Sequence, residues 1–265
     1  MPLPGLTDKP EPSVQKIESV EAPDQWANTI VRLPMESRRE VAVSRQDFKI
    51  RLATTNDRRS SASVLIKKMY SWRGYEANSA PLEAQPNRIT LVAAAHEQSI
   101  GTLTLGFDSP IGLLVDDPYK DRMDQLRHAG RRVCELTKLA IDEHVRSKRV
   151  LSSLFHIAFI YARNFHQCTD MVIEVNPRHV RFYERMLGFE RFGEEKMCER
   201  VQAPAVLLRL ELDYARQQIN VFGGLGKQAE KEKSLYPYAF SAEEEAGITA
   251  RLTRESERTG KSRSG

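Results

Sequence analysis

The chain has 265 residues, 40% of them hydrophobic and 29% charged, with a formal net charge of +4. That is enough apolar content for one core, and so mild a charge leaves no nucleic-acid footprint. Three cysteines, Cys134, Cys168 and Cys198, without CxxC spacing argue against a disulfide framework or a zinc site.

The start, "MPLPGLTDKPEPSVQ", lacks a basic run followed by an apolar one, so no signal peptide is expected. No apolar stretch approaches the ~18 residues of a transmembrane segment. With the cysteine usage, this points to a reducing, cytoplasmic setting. Residues 1–46, rich in Pro, Glu and Ser, read as a disordered or loosely docked arm. Within them "QWANTIVRL" (25–33) is a candidate docking segment.

"FKIRLATT" (48–55) alternates as a strand does, and "DRRSSASVLIKKMYSWRGY" follows as a helix. "RITLVAAAHEQSIGTLTLGFDS" reads as a hairpin with strands 88–95 and 100–107. "PYKDRMDQLRHAGRR" reads as a solvent-facing helix and "VCELTKLAID" (133–142) as a strand. The next helix puts Leu151, Leu154, Phe155, Ala158, Ala162 and Phe165 on one face. "DMVIEVN" (170–176) is an apolar run suited to a strand covered on both faces. In "NPRHVRFYERMLGFE" (176–190), Asn176 suits a helix cap, Pro177 the first turn and Gly188 the stop. "AVLLRLELDY" (205–214) is a last strand and "FGGLGKQAEKEK" a linker. "SAEEEAGITARL" carries a capping box, Ser241 with Glu244, and predicts a tail helix. The order β-α-β-β-(α)-β-α-β-α-β predicts an α/β fold: a mixed, twisted sheet flanked by helices on both faces. The body would span 47–216, with a linker and tail helix in 217–265.

One junction stands out. "VRSKRVLSSLF" (145–155) joins a strand to a helix N-terminus through a basic turn, which makes an anion site. Glycines usually let such a turn approach a pyrophosphate, but Ser147, Arg149 and Leu151 fill the matching places.

This order and these motifs resemble the GCN5-related N-acyltransferase (GNAT) fold, whose sheets are mostly antiparallel. The segment Arg146–Phe155 stands in register with the family's phosphate turn. Asn176, Tyr183, Gly188 and Phe189 fall on its later helix. A narrower resemblance, over roughly 47–216, rests on "GTLTLGFDSPIGL", "GRRVCELTKLAID" and "NPRHVRFYERMLGFE". Together they look like the long-chain N-acyl amino acid synthases, the FeeM-like group. "CELTK" is also similar to a strand of the acyl-homoserine lactone synthases. The resemblance implies transfer of a fatty acyl group from acyl carrier protein to the α-amine of an amino acid, giving a lipid of the signalling type. Tyrosine is the acceptor best known for the group. It implies no bound cofactor, since the donor is the carrier's phosphopantetheine thioester, with a coenzyme A thioester as the alternative. A carrier presents a single phosphate and an acidic surface, which Arg146, Lys148 and Arg149 would meet. The lost glycines therefore favour a carrier over free coenzyme A.

Amine attack on a thioester needs a base, donors to the carbonyl oxygen and a proton for the thiolate. Glu135, inside an apolar strand, is a candidate base or ammonium binder. Its alternative is a structural carboxylate paired with Lys138 or an arginine. Tyr183 is a candidate acid for the thiolate, or else a core tyrosine. Backbone N–H groups at Leu136, Thr137, Lys138 and Leu139 are implied to hold the pantetheine arm. Arg178, with Arg181 and Arg185 on the same helical face, suits the acceptor carboxylate or the carrier. Asn176 is a cap first and a ligand second. Arg73, in "YSWRGYE", is a further carboxylate candidate. Met69, Phe107, Leu113, Phe155, Phe159 and Phe182 are candidate lining for the substrate's acyl chain. Cys134 has no His–Asp partner pattern, and "GGLGKQ" lacks the spacing of a phosphate loop. No metal site is expected. Two other functions stay open: acetyl-coenzyme A-dependent N-acetyl transfer, and a non-catalytic carrier-binding module.

Overall fold

The computed structural model describes residues 31–32, 48–72, 75, 82, 85–145, 147–229 and 231–262. Arg73, Arg146 and most of the 1–46 arm lie outside the described residues.

Among the described residues, eight strands form one sheet in the order β1-β2-β3-β4-β5-β6-β8-β7. They are β1 (Val31–Arg32), β2 (Lys49–Leu52), β3 (Arg88–Ala95), β4 (Gln98–Phe107), β5 (Val133–Ile141), β6 (Asp170–Val175), β7 (Glu190–Cys198) and β8 (Ala203–Glu211). Every neighbouring pair is antiparallel except β5 and β6. This is the mixed, mostly antiparallel sheet that the sequence predicts. β3 and β4 form the expected hairpin, turning through His96 and Glu97, both in the left-handed region. Six helices cover the sheet: α1 (Asn56–Trp72), α2 (Asp116–His128), α3 (Lys148–Phe159), α4 (Val180–Leu187), α5 (Leu212–Phe222) and α6 (Ala242–Ser262). α3 continues as a π-helix over Ile160–Phe165, and α4 opens with a 3₁₀ turn at Pro177–His179.

Alternation along each strand sorts the core into two faces. On one, Leu103, Leu105, Cys134, Leu136, Met171 and Ile173 pack with Leu154, Phe155 and Ala158 of α3 and Tyr183 of α4. On the other, two separate clusters form. Leu65, Ile66 and Met69 of α1 pack with Val92 and Ala140, while Tyr119, Met123 and Leu126 of α2 pack with Val133 and Val172. α2 is thus not simply solvent-facing: its three apolar residues at helical spacing are buried.

Two elements differ from the sequence reading. β7 was not expected, because "ERFGEEKMC" shows no apolar alternation; as an edge strand beside β8 it buries little. The last strand stops at Glu211, and Leu212 opens α5. α5 runs through residue 216, the expected end of the body. Beyond it, Leu235, Tyr236, Ala239, Phe240, Ile248 and Leu252 join the main core.

Candidate active site

A β-bulge shapes the centre of the sheet. Thr102 and Thr104 of β4 pair with Ala140 and Thr137 of β5, so Leu103 stands against two residues, Lys138 and Leu139. Lys138 takes the left-handed backbone that such a bulge requires (φ 53°). A bulge bends its strand, and the parallel pairing of β5 with β6 ends here, at Leu136 and Ile173. Both strands run on, β5 to Ile141 and β6 to Val175, so the sheet divides. Because the two strands are parallel, the helices that follow them begin at the same edge. The N-terminus of α3 and the 3₁₀ turn at Pro177 therefore flank the split.

Ser147 explains the turn that has lost its glycines. Its hydroxyl caps α3 by accepting from the Val150 N–H (3.4 Å). Lys148 is exposed and its ammonium lies over the Tyr238 ring, 5.4 Å from the centroid. Arg149 is half-buried beside it.

Between the α1 and α2 clusters the sheet carries a polar row. It consists of Arg88, Thr90, Thr104, Glu135, Thr137 and Glu174. The Thr90 and Thr104 hydroxyls bond at 2.8 Å. Glu135 is wholly buried. Its Oε1 accepts from the Leu114 N–H (3.0 Å) and lies 2.8 Å from an Arg88 guanidinium nitrogen; its Oε2 accepts from the Val115 N–H (3.1 Å). Gly106 makes room for it, since a Cβ there would stand 3.0 Å from Glu135 Cγ. Thr137 and Glu174 are the first residues past the last β5–β6 pair. Thr137 Oγ1 and Glu174 Oε1 are buried with no hydrogen-bond partner. Glu174 Oε2 pairs with Arg200, which also donates to the Leu114 carbonyl (2.8 Å). Burial pushes the Glu174 carboxyl above its ordinary value, against the pull of Arg200 and Cys198 and with the push of Glu135.

On the opposite face Tyr183 is buried, edge-on to Phe155, Phe182 and Phe189. Asn176 caps the 3₁₀ turn and donates to the Pro204 carbonyl (3.1 Å). Arg178 donates to the Tyr75 hydroxyl (2.8 Å), joining the end of α1 to the edge of the split. Phe182 is 39% exposed. An apolar cavity of about 30 Å³ lies under α3 and α5, lined by Phe155, Phe159, Met171, Leu210, Ile219 and Ala239 among others. Of the aromatic and aliphatic residues expected along an acyl chain, Phe155 and Phe159 reach it, whereas Met69 and Leu113 belong to the α1 and α2 clusters.

Sequence reasoning passed over Glu174, Arg88 and Arg200. Glu174 left a signal, a carboxylate inside the apolar run "DMVIEVN", which is the kind of signal that marks Glu135. Arg88 and Arg200 left none, because an arginine at a strand end or in a turn reads as solvated.

A bulged strand that parts from a parallel neighbour beside a basic helix N-terminus is the arrangement expected from the resemblance to N-acyltransferases. The family described as N-acyl amino acid synthase FeeM matches residues 61–211, and the chain belongs to it. The solved structure of FeeM, an N-acyl amino acid synthase from uncultured soil microbes, is 26% identical. It aligns over 65% of this chain and 95% of its own, with a TM-score of 0.60. The chain is also similar to the solved structure of an acyl-CoA N-acyltransferase from Pseudomonas aeruginosa (15% identity, 62% and 97% coverage, TM-score 0.43). A further similar structure is that of the AHL synthase LasI (12% identity, 63% and 91% coverage, TM-score 0.43). No curated protein sequence matches. Among the described residues no helix is long and apolar enough to cross a membrane.

Proposed function

We propose that this N-acyltransferase moves a long-chain acyl group from the phosphopantetheine thioester of acyl carrier protein to the α-amine of an amino acid. The split of β5 from β6 beside the capped, basic start of α3 carries this reading. The pantetheine arm enters along Leu136, Thr137, Lys138 and Leu139, where a bulged strand offers backbone groups to amides. Lys148 and Arg149, with Arg146, meet the carrier's phosphate and its acidic surface. Ser147 spends its hydroxyl on the helix cap, and its side chain occupies space that a pyrophosphate would need; this favours a carrier over coenzyme A.

The acceptor enters from the face of α1 and α2, with Arg178 and Asn176 at the rim and Phe182 and Arg73 as further contacts. The acyl chain runs toward the apolar residues under α3, whose side chains must part to admit it because the cavity there is only about 30 Å³; each methylene then buried contributes ~0.8 kcal/mol. Tyr183 supplies a proton to the leaving sulfur. Glu135, with both oxygens engaged, fixes Arg88 and the 113–115 loop as the floor of the acceptor side. The setting is the cytoplasm, where acyl carriers are found.

Mass spectrometry of solvent extracts from cells expressing the chain, against an empty-vector strain, tests this. New ions matching fatty acyl amides of an amino acid are expected, and they identify chain and acceptor together. Their absence with soluble protein sinks the reading in favour of acetyl transfer or simple carrier binding. Arg149→Glu should raise the apparent KM for acyl carrier protein; an unchanged KM removes the carrier patch.

A further inference from the structure

We infer that Glu174 is the residue that takes the proton from the acceptor's ammonium group, with the Thr137 hydroxyl as its companion in holding that group. The inference rests on the acyl-transfer reading above. Thr137 and Glu174 occupy equivalent steps, each one residue past the last β5–β6 pair. Each presents a buried polar atom with no protein partner, Thr137 Oγ1 and Glu174 Oε1. Buried polar atoms are nearly always satisfied, so two orphans at one break in a sheet point to a missing polar guest. The guest must donate, because a carboxylate oxygen only accepts. An ammonium has three donors, enough to serve both atoms.

The neighbours divide the labour. Glu135 has a donor on each oxygen and the Arg88 guanidinium besides, so neither oxygen is left to accept from an incoming amine. Arg200 pairs with Glu174 Oε2 and the Cys198 thiol adds a further pull, while Oε1 keeps no hydrogen-bond partner. The charged and titratable groups facing it are Arg200 and Cys198 near the β7–β8 turn, Glu135 on β5 and Tyr119 on α2. Burial and the Glu135 charge raise the Glu174 carboxyl, which favours its taking a proton.

The step balances without a further reactant. The ammonium gives one proton to Glu174. The neutral amine attacks the thioester carbon, the C–N bond forms and the C–S bond breaks. The second amine proton leaves with the thiol, by way of Tyr183.

The test compares wild type, Glu174→Gln and Glu174→Asp, with dodecanoyl-acyl carrier protein as donor. Two acceptors are used: a mixture of the common amino acids, and aminooxyacetate, whose amine is already neutral. Thermal melts check folding. Glu174→Gln should lose about 100-fold or more in amino acid transfer and stay within about threefold of wild type with aminooxyacetate. Glu174→Asp, which keeps the carboxylate, should retain more amino acid transfer than Glu174→Gln. Equal loss with both acceptors assigns Glu174 to structure and overturns the inference, as does unchanged amino acid transfer or Asp falling below Gln. In those cases wild-type transfer still upholds the acyl-transfer reading; absence of wild-type transfer overturns both.

Discussion

Arg88 reaches Glu135 from β3, and two backbone N–H groups complete the shell around a carboxylate with no solvent exposure. Removing one partner of such a buried pair leaves the other charge uncompensated, at a cost of about 3–5 kcal/mol. Glu135→Gln should therefore lower the unfolding free energy by that order, measured by equilibrium denaturation. Turnover per folded molecule should fall far less than in Glu174→Gln; the opposite ranking returns Glu135 to the chemistry. The two glutamates look alike in sequence, each flanked by apolar residues inside a strand. Only the count of donors on each oxygen separates them, and those donors come from segments 20 to 47 positions away in the chain.

α4 shows how far local signals reach. Asn176 caps, Pro177 starts and Gly188 stops it in the left-handed region (φ +77°), all as the motif predicts. A second constraint on Gly188 was not visible. A Cβ there would stand 2.3 Å from Tyr214 Cε1 on α5, a helix the sequence reading did not contain. Gly188→Ala should cost about 1–2 kcal/mol for the backbone alone, plus the clash. Adding Tyr214→Ala should recover the clash and leave the backbone part, a separation that a double-mutant cycle of unfolding free energies reads directly. β7 escaped notice for the reverse reason. An edge strand that buries little needs no apolar alternation, so its sequence carries none.

The C-terminal segment belongs to the core of the whole molecule. His156 on α3 accepts from the Phe240 N–H through Nδ1 (2.9 Å), which leaves Nε2 to face Glu245 Oε2 at 3.1 Å. Arg216 of α5 completes the cluster, 2.6 Å from Glu245 Oε1. Burial alone would raise the Glu245 carboxyl, but its His156 and Arg216 bonds win and bring it down to about 2. Burial lowers the His156 imidazole, against the pull of Glu245. Both shifts act in one direction. An unfolded His156 binds a proton below pH 6.5 that the folded one resists, and an unfolded Glu245 binds one below 4.5. Stability should therefore fall as pH drops below 6.5, and further between 4.5 and about 2. Thermal melts across that range check it, and Glu245→Gln should flatten the lower part. A chain ended before α6 should lose the cluster together with Ile248 and Leu252, and unfold at lower temperature.

The sequence by itself determined the α/β class, the 88–107 hairpin, the caps of α4 and the basic, glycine-free start of α3. Each is written in neighbours a few residues apart, through a period of two or 3.6, a capping box or a turn residue. The tertiary structure decided which strands part, which side chains share a face and which carboxylate keeps an oxygen open. It also decided that the segment after 216 packs into the core. Those outcomes depend on contacts between residues far apart in the chain, such as Glu135 with Arg88 or His156 with Glu245, and no local period encodes them.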